Sequence, residues 1–169
     1  MIENEFLFLG LLAEAPKHGY EIKRQIEEDL LPNLGLKIKS IYYPLKKMEE
    51  AGLIEKQTDR KGNWPEKYVY RITLKGKKKF DGMINDSFLA IERPFFQMDL
   101  SLYFLPLVDK AVAKRRLKAR MALLKKLARE LSALKEKSIK SKPAHLILQH
   151  GLDLVEAEVS STNKLIEHL

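Results

Sequence analysis

The side chains with the greatest chemical reach in this chain donate hydrogen bonds and positive charge; few are poised as nucleophiles. Lys39, Ser40, Tyr43 and Lys47 fall within one short segment, and Arg60, Lys61 and Lys67 surround a turn holding Gly62 and Trp64. Lysine and serine suit phosphate oxygens or base edges, and tyrosine adds a hydroxyl on an apolar ring. Catalysis has far less to work with. Cysteine is absent, which excludes disulfide scaffolds, thiolate chemistry, zinc fingers and iron–sulfur clusters. No phosphate-binding glycine loop, dinucleotide fingerprint, nucleophile elbow or H-E-x-x-H zinc motif occurs. His145 and His150 are five apart, off the spacing that puts two ligands on one helical face; His18 lies in a turn and His168 near the end. The expectation is a protein that is not an enzyme and needs no metal or cofactor.

These basic side chains are not spread evenly. The 169 residues carry 31 Lys+Arg against 23 Asp+Glu, a net charge of +8. Residues 37–79 hold 13 basic and 5 acidic side chains, and residues 110–142 hold 13 and 2. The segments around them, 1–36, 80–109 and 143–169, are each net acidic. A charge run is ordinarily a solvated face, so each block needs a second reason before it is read as a contact surface. The longest apolar run, Phe6 to Ala13, is too short to span a bilayer and follows Glu3 and Glu5, the wrong charge for a signal peptide. A cytoplasmic protein with no membrane partner is expected.

Hydrophobic period supplies the elements that must position the basic groups. Residues 2–14 read as a central helix, stopped by Pro16 and Gly19, and a second helix runs from Tyr20 to about Leu30. Ser40 can cap a third, running to Ala51, with Ile41, Leu45 and Met48 as its buried stripe and Tyr42 nearer that stripe than Tyr43. After Gly52 the period drops to two. Leu53–Gln57 and Lys67–Thr73 read as strands joined by a loop over 58–66. A fourth helix follows to about Arg93, with Phe80, Ile84, Phe88 and Ile91 on one face, and Pro94 breaks it. Beyond an aromatic stretch at 95–107 come a long helix over 108–140 and a last one after Pro143.

Three helices followed at once by a hairpin is the order of a winged helix-turn-helix, whose third helix enters the major groove while the wing reaches the backbone. The first basic block covers both parts. The residues also resemble the PadR-like family of bacterial and archaeal transcriptional regulators. The resemblance rests on Leu9-Gly10-Leu11-Leu12, His18-Gly19-Tyr20-Glu21-Ile22, Ser40-Ile41-Tyr42-Tyr43-Pro44-Leu45, Glu49, Gly52-Leu53-Ile54 and Tyr70-Arg71-Ile72-Thr73 with Gly76, spanning residues 5–80. Lys39 stands where a small residue is common, and Lys47-Met48 where Arg-Leu is usual. The resemblance implies a homodimer that binds inverted-repeat operators on double-stranded DNA and represses nearby genes. It places Ser40, Tyr43 and Pro44 at the DNA-facing end of the recognition helix, and Tyr20 beneath the second helix as core.

The expected fold is therefore mainly α with a small β-hairpin wing: a winged helix-turn-helix over residues 1–93 and a helical, coiled-coil-like dimerisation region over 94–169. In the latter, Leu148, Leu152, Val155, Val159, Thr162, Ile166 and Leu169 alternate spacings of four and three, a heptad seam. Leu117, Leu124 and Leu131 repeat every seven on the preceding helix. A dimer using Leu148, Leu152, Val155, Val159 and Ile166 is favoured; the alternative is an intramolecular hairpin in which the two rows pack on each other. The second basic block is read as neutralised by the acidic segments, with a second DNA-backbone contact as the sharper option. Phe88, Phe95, Phe96, Tyr103 and Phe104 could line a pocket for a small aromatic or amphipathic effector, or form plain core. A protein-interaction module built on the same wing and coiled coil is the competing function.

Overall fold

A computed structural model describes residues 2–30, 38, 40–59, 67–91, 96–139 and 141–169. They form two compact units, Met1–Glu92 and Arg93–Leu169.

In the first unit, α1 (Ile2–Glu14) contributes Phe8, Leu9, Leu11 and Leu12 to the core. Lys17–His18 then form a two-residue strand, β1, which the sequence reading took only as a helix stop. It pairs antiparallel with β3 (Lys67–Ile72), and β3 pairs on its other side with β2 (Ile54–Asp59), giving the order β1-β3-β2. Helix α2 (Gly19–Gln25) starts at His18, whose backbone N–H donates to Glu21 Oε2 at 2.7 Å, and continues as one wide π turn over Ile26–Leu30. Ile22 and Ile26 hold it on the core. Tyr20 does not pack beneath it: 54% of its surface is exposed, with its ring stacked on that of His18.

Helix α3 (Tyr42–Glu50) presents Leu45 and Met48 to the core, with Ile41 just ahead of it. Ser40 does not cap it. Ile41 occupies the cap position in a helical conformation, and among the described residues no side chain caps the helix there. Pro44 fits in this first turn because its missing N–H would have had no intrahelical partner. The other end is closed by a Schellman arrangement, Gly52 N–H to Glu49 O and Leu53 N–H to Met48 O, both at 2.9 Å. Gly52 carries it with φ of +69°, where a side chain is disfavoured.

Helix α4 (Leu74–Leu89) is capped by Thr73, whose hydroxyl accepts from Gly76 N and donates to Gly52 O. It lies against α1, with Phe80 at 5.6 Å from the Phe6 ring. It stops at Leu89, short of Arg93, and the expected apolar face fails at its far end: Phe88 and Ile91 are 83% and 97% exposed.

The second unit holds α5 (Gln97–Tyr103), a 3-10 turn over Leu105–Leu107, and two long helices, α6 (Lys110–Lys137) and α7 (Lys142–His168). Asp109 Oδ1 caps α6 by accepting from Val112 N at 3.0 Å. The long helices run antiparallel, since Arg120 pairs with Glu158 and Lys135 with Gln149 across them. Leu117 on α6 and Leu148, Leu152 and Val155 on α7 are buried in this packing, with Val159 and Ile166 partly so. The heptad seam expected to join two chains is thus occupied within one. The physical reason is proximity: a short turn at 138–141 brings two complementary apolar stripes together at small closure cost.

Candidate nucleic-acid interface

The outward side of α3 is the best-built surface in the first unit. With Leu45 and Met48 fixed in the core, helical geometry turns Tyr43 and Lys47 outward, one turn apart. Tyr42 and Tyr43 are 63% and 62% exposed, Ser40 is exposed ahead of them, and Lys46 and Lys47 follow. Two tyrosines side by side in water are costly as solubility decoration. Each offers a ring to stack and a hydroxyl to bond, which suits a wet, polar partner. Lys47 Nζ stands 6.0 Å from the centre of the Tyr43 ring and donates to Glu50 Oε2 at 3.1 Å. That hydrogen bond, then the Glu50 charge and the neighbouring Tyr43, hold the Lys47 ammonium above its ordinary range, so it stays charged.

Gly19 belongs to the same surface. A Cβ there would meet the rings of Tyr42 and Tyr70 at 3.6 and 3.7 Å, so the start of α2 sits directly beside the start of α3. Tyr70 lies beneath, and burial, with the Glu49 charge second, pushes its phenol above the usual range.

On the hairpin, Lys56 Nζ lies 3.7 Å from the centre of the Tyr68 ring. The register pairs Lys56 with Tyr70 and Thr58 with Tyr68, so Lys56 and Tyr68 are diagonal neighbours on one face. The sequence reading missed this pair and set Tyr42 toward the core. Period-two alternation across the two strands was the signal that would have found Lys56 and Tyr68.

Of the residues expected at this surface, Ser40, Tyr43, Pro44 and Lys47 come together at the head and outer side of α3. Lys67 begins β3. Lys39, Arg60 and Lys61 lie outside the described residues, as does Phe95 of the expected effector pocket. Phe88, Phe96, Tyr103 and Phe104 are all exposed, the last two meeting edge to face at 5.0 Å. Among the described residues, no group of His, Asp or Glu could hold a metal ion, and no helix is long and apolar enough to cross a membrane.

Comparison with known proteins agrees with this geometry. The family model "Transcriptional regulator PadR-like family" matches residues 8–82. A negative transcriptional regulator, PadR of Bacillus subtilis (strain 168), is 33% identical over 75 residues, which span 44% of this chain and 41% of that protein. Two crystal structures of Bacillus subtilis PadR extend the likeness in fold to the whole chain. One, in complex with operator DNA, superposes with a TM-score of 0.72 at 23% identity, covering 97% of each chain. The other, in complex with p-coumaric acid, gives 0.75 at 22%, covering 97% of this chain and 96% of that one. The three-stranded sheet, the exposed α3 and the helical second unit are thus those of a known architecture, and residues 8–82 match the model of the PadR-like family of transcriptional regulators.

Proposed function

We propose that this protein is a sequence-specific DNA-binding regulator, a homodimeric repressor of an inverted-repeat operator that a small aromatic or amphipathic ligand releases. The observation that carries this reading is the outer side of α3. Tyr42, Tyr43 and Lys47 stand exposed on a helix that Leu45 and Met48 clamp to the core, within a PadR-like domain. Helix and domain together supply what major-groove binding needs, a rigid platform with hydrogen-bonding tips. Lys39, Ser40, Pro44, Arg60, Lys61 and Lys67 complete the proposed contact set. The solved relatives bound to operator DNA and to p-coumaric acid support the two ligand classes by analogy of fold.

Two half-sites read at once must be held roughly 34–36 Å apart, which is the reason for a dimer. Because the seam of Leu148, Leu152 and Val155 is filled within one chain, the proposed dimer uses the apolar side chains left outside the hairpin. Leu123 and Leu127 on α6 and Leu154 on α7 are such residues. The test is DNA from just upstream of the protein's own gene, searched for an inverted repeat and assayed by gel shift over a range of salt. Selective, salt-sensitive binding is expected. Failure of every such duplex to bind selectively, with Tyr43→Ala and Lys47→Ala without effect, would replace the repressor with a protein-interaction module.

A further inference from the structure

The long helix α6 carries a basic row that the proposed operator contacts leave unused. Lys118, Lys125 and Arg129 are exposed and fall seven and four residues apart, on one side of the helix. The acidic segments expected to neutralise this block do so at one point among the described residues, where Glu158 of α7 pairs with Arg120. The exposed row is left without such a partner.

Beside it, α6 and α7 leave an open groove. Two hollows, of about 510 and 550 Å³, share Lys125 and Val159 and so run into one another. Their floor is apolar. Met121 and Ala128 come from α6, Val159 and Ile166 from α7, and the hairpin covers each only in part. Their rim is charged: Lys118, Lys125 and Arg129 stand against one acid, Glu156. Arg129 is held over the row by its Nε–H, which donates to the Lys125 carbonyl at 3.3 Å. From Lys118 to Arg129 the helix rises roughly 17 Å, about three turns, which is the length of a short helix.

Floor and rim together select the occupant. A nucleic-acid backbone would satisfy the rim and leave the apolar floor without contacts. A two-fold contact centred here would set the groove on its own copy, basic rim against basic rim. Leu123 and Leu127, assigned above to the dimer, each lie two residues from Lys125 and so on the far side of α6, which leaves the groove open in that dimer. An amphipathic helix whose apolar stripe runs between acidic flanks matches both parts.

We infer that this groove docks an acidic amphipathic helix of a partner protein, its apolar stripe on Met121, Val159 and Ile166 and its carboxylates on Lys118, Lys125 and Arg129. The inference does not rest on operator binding.

The experiment is fluorescence anisotropy on the full chain, using a labelled peptide of about four helical turns with leucines four and three apart between glutamates. One control peptide carries the same residues in scrambled order, and another has lysine for every glutamate. The acidic peptide is expected to bind at least ten-fold tighter than either control. Lys125→Glu, at an exposed position, should weaken it ten-fold or more. Ser160→Trp, exposed on the groove's lip, should weaken it similarly by filling the hollow, with no change in rim charge. Thermal melting checks that both variants fold. No binding of the acidic peptide, equal binding of either control, or either variant binding like the parent would each overturn the inference. A Ser160→Trp variant that sediments as a monomer where the parent is a dimer would give the groove to a second copy instead. A Lys125→Glu variant that loses affinity for random-sequence duplex DNA, but not for the peptide, would give the face to nucleic acid; both results overturn the inference.

Discussion

A Cβ on Gly76 would stand 2.1 Å from the carbonyl oxygen of Leu53. The first turn of α4 therefore touches the backbone just before β2, at the point where Thr73 also bonds the carbonyls of Gly52 and Leu53. Helix α3, the hairpin and α4 meet there with no space between them.

Gly76→Ala should accordingly destabilise the first unit by roughly 2–3 kcal/mol, the scale of overpacking against atoms that cannot yield. Gly82, on the same helix, has nothing within 4 Å of its own Cβ position. Gly82→Ala should stabilise by about 0.5–1 kcal/mol through helix propensity alone. Urea melts of the two variants check both signs, and similar effects from both would disprove the contact.

On α3, Lys47 is shared between Tyr43 and Glu50. If Lys47 serves a phosphate, Glu50 competes for it in the free protein. Glu50→Gln should tighten duplex binding several-fold, while Lys47→Ala weakens it and lowers the slope of log affinity against log salt by about one. Gel shifts at several salt concentrations measure this; a Glu50→Gln variant that binds more weakly would contradict it.

Tyr70 should ionise at a higher pH than a free tyrosine. Its folded-state pKa is raised, chiefly by burial, above the ordinary value near 10. The stability linked to it is complete below the unfolded-state pKa and drains away as pH rises through the folded one. Loss of the first unit's stability should therefore begin near pH 10 and steepen above it. Tyr70→Phe should flatten that loss and remove a phenolate component that appears above the ordinary tyrosine range.

Thr162 is fully buried between α6 and α7, and its hydroxyl has no hydrogen-bond partner among the described residues. Thr162→Val keeps the shape and removes the orphan, so it should stabilise the hairpin by about 1 kcal/mol. A lower melting temperature in the variant would mean that the hydroxyl is satisfied in solution by water.

Much of the fold was legible because the features that build it are local. Ile41, Leu45 and Met48 repeat at the helical period, Tyr68, Tyr70 and Ile72 at the strand period, and Gly52 marks the turn between them. What stayed hidden depends on partners distant in the chain. Lys17–His18 is a strand only because β3 offers it an edge, and two residues carry no period of their own. The row from Leu148 to Ile166 shows an apolar stripe clearly, but a stripe does not say whether the same chain or another covers it. Tyr20 and Tyr42 misled for a related reason: an aromatic side chain in a helix signals burial by composition, whereas their exposure is decided by which neighbours arrive.

The pairing of β1 with β3 has a kinetic meaning. Joining Lys17 to Tyr70 closes a loop that contains α2, α3 and most of the hairpin. Two residues of ladder return little against the entropy of such a closure. This edge can therefore form only after the helices it encloses have collapsed around Ile22 and Leu45. Its amides should therefore be the last in the unit to gain protection during folding, an order that pulse-labelled hydrogen exchange would check.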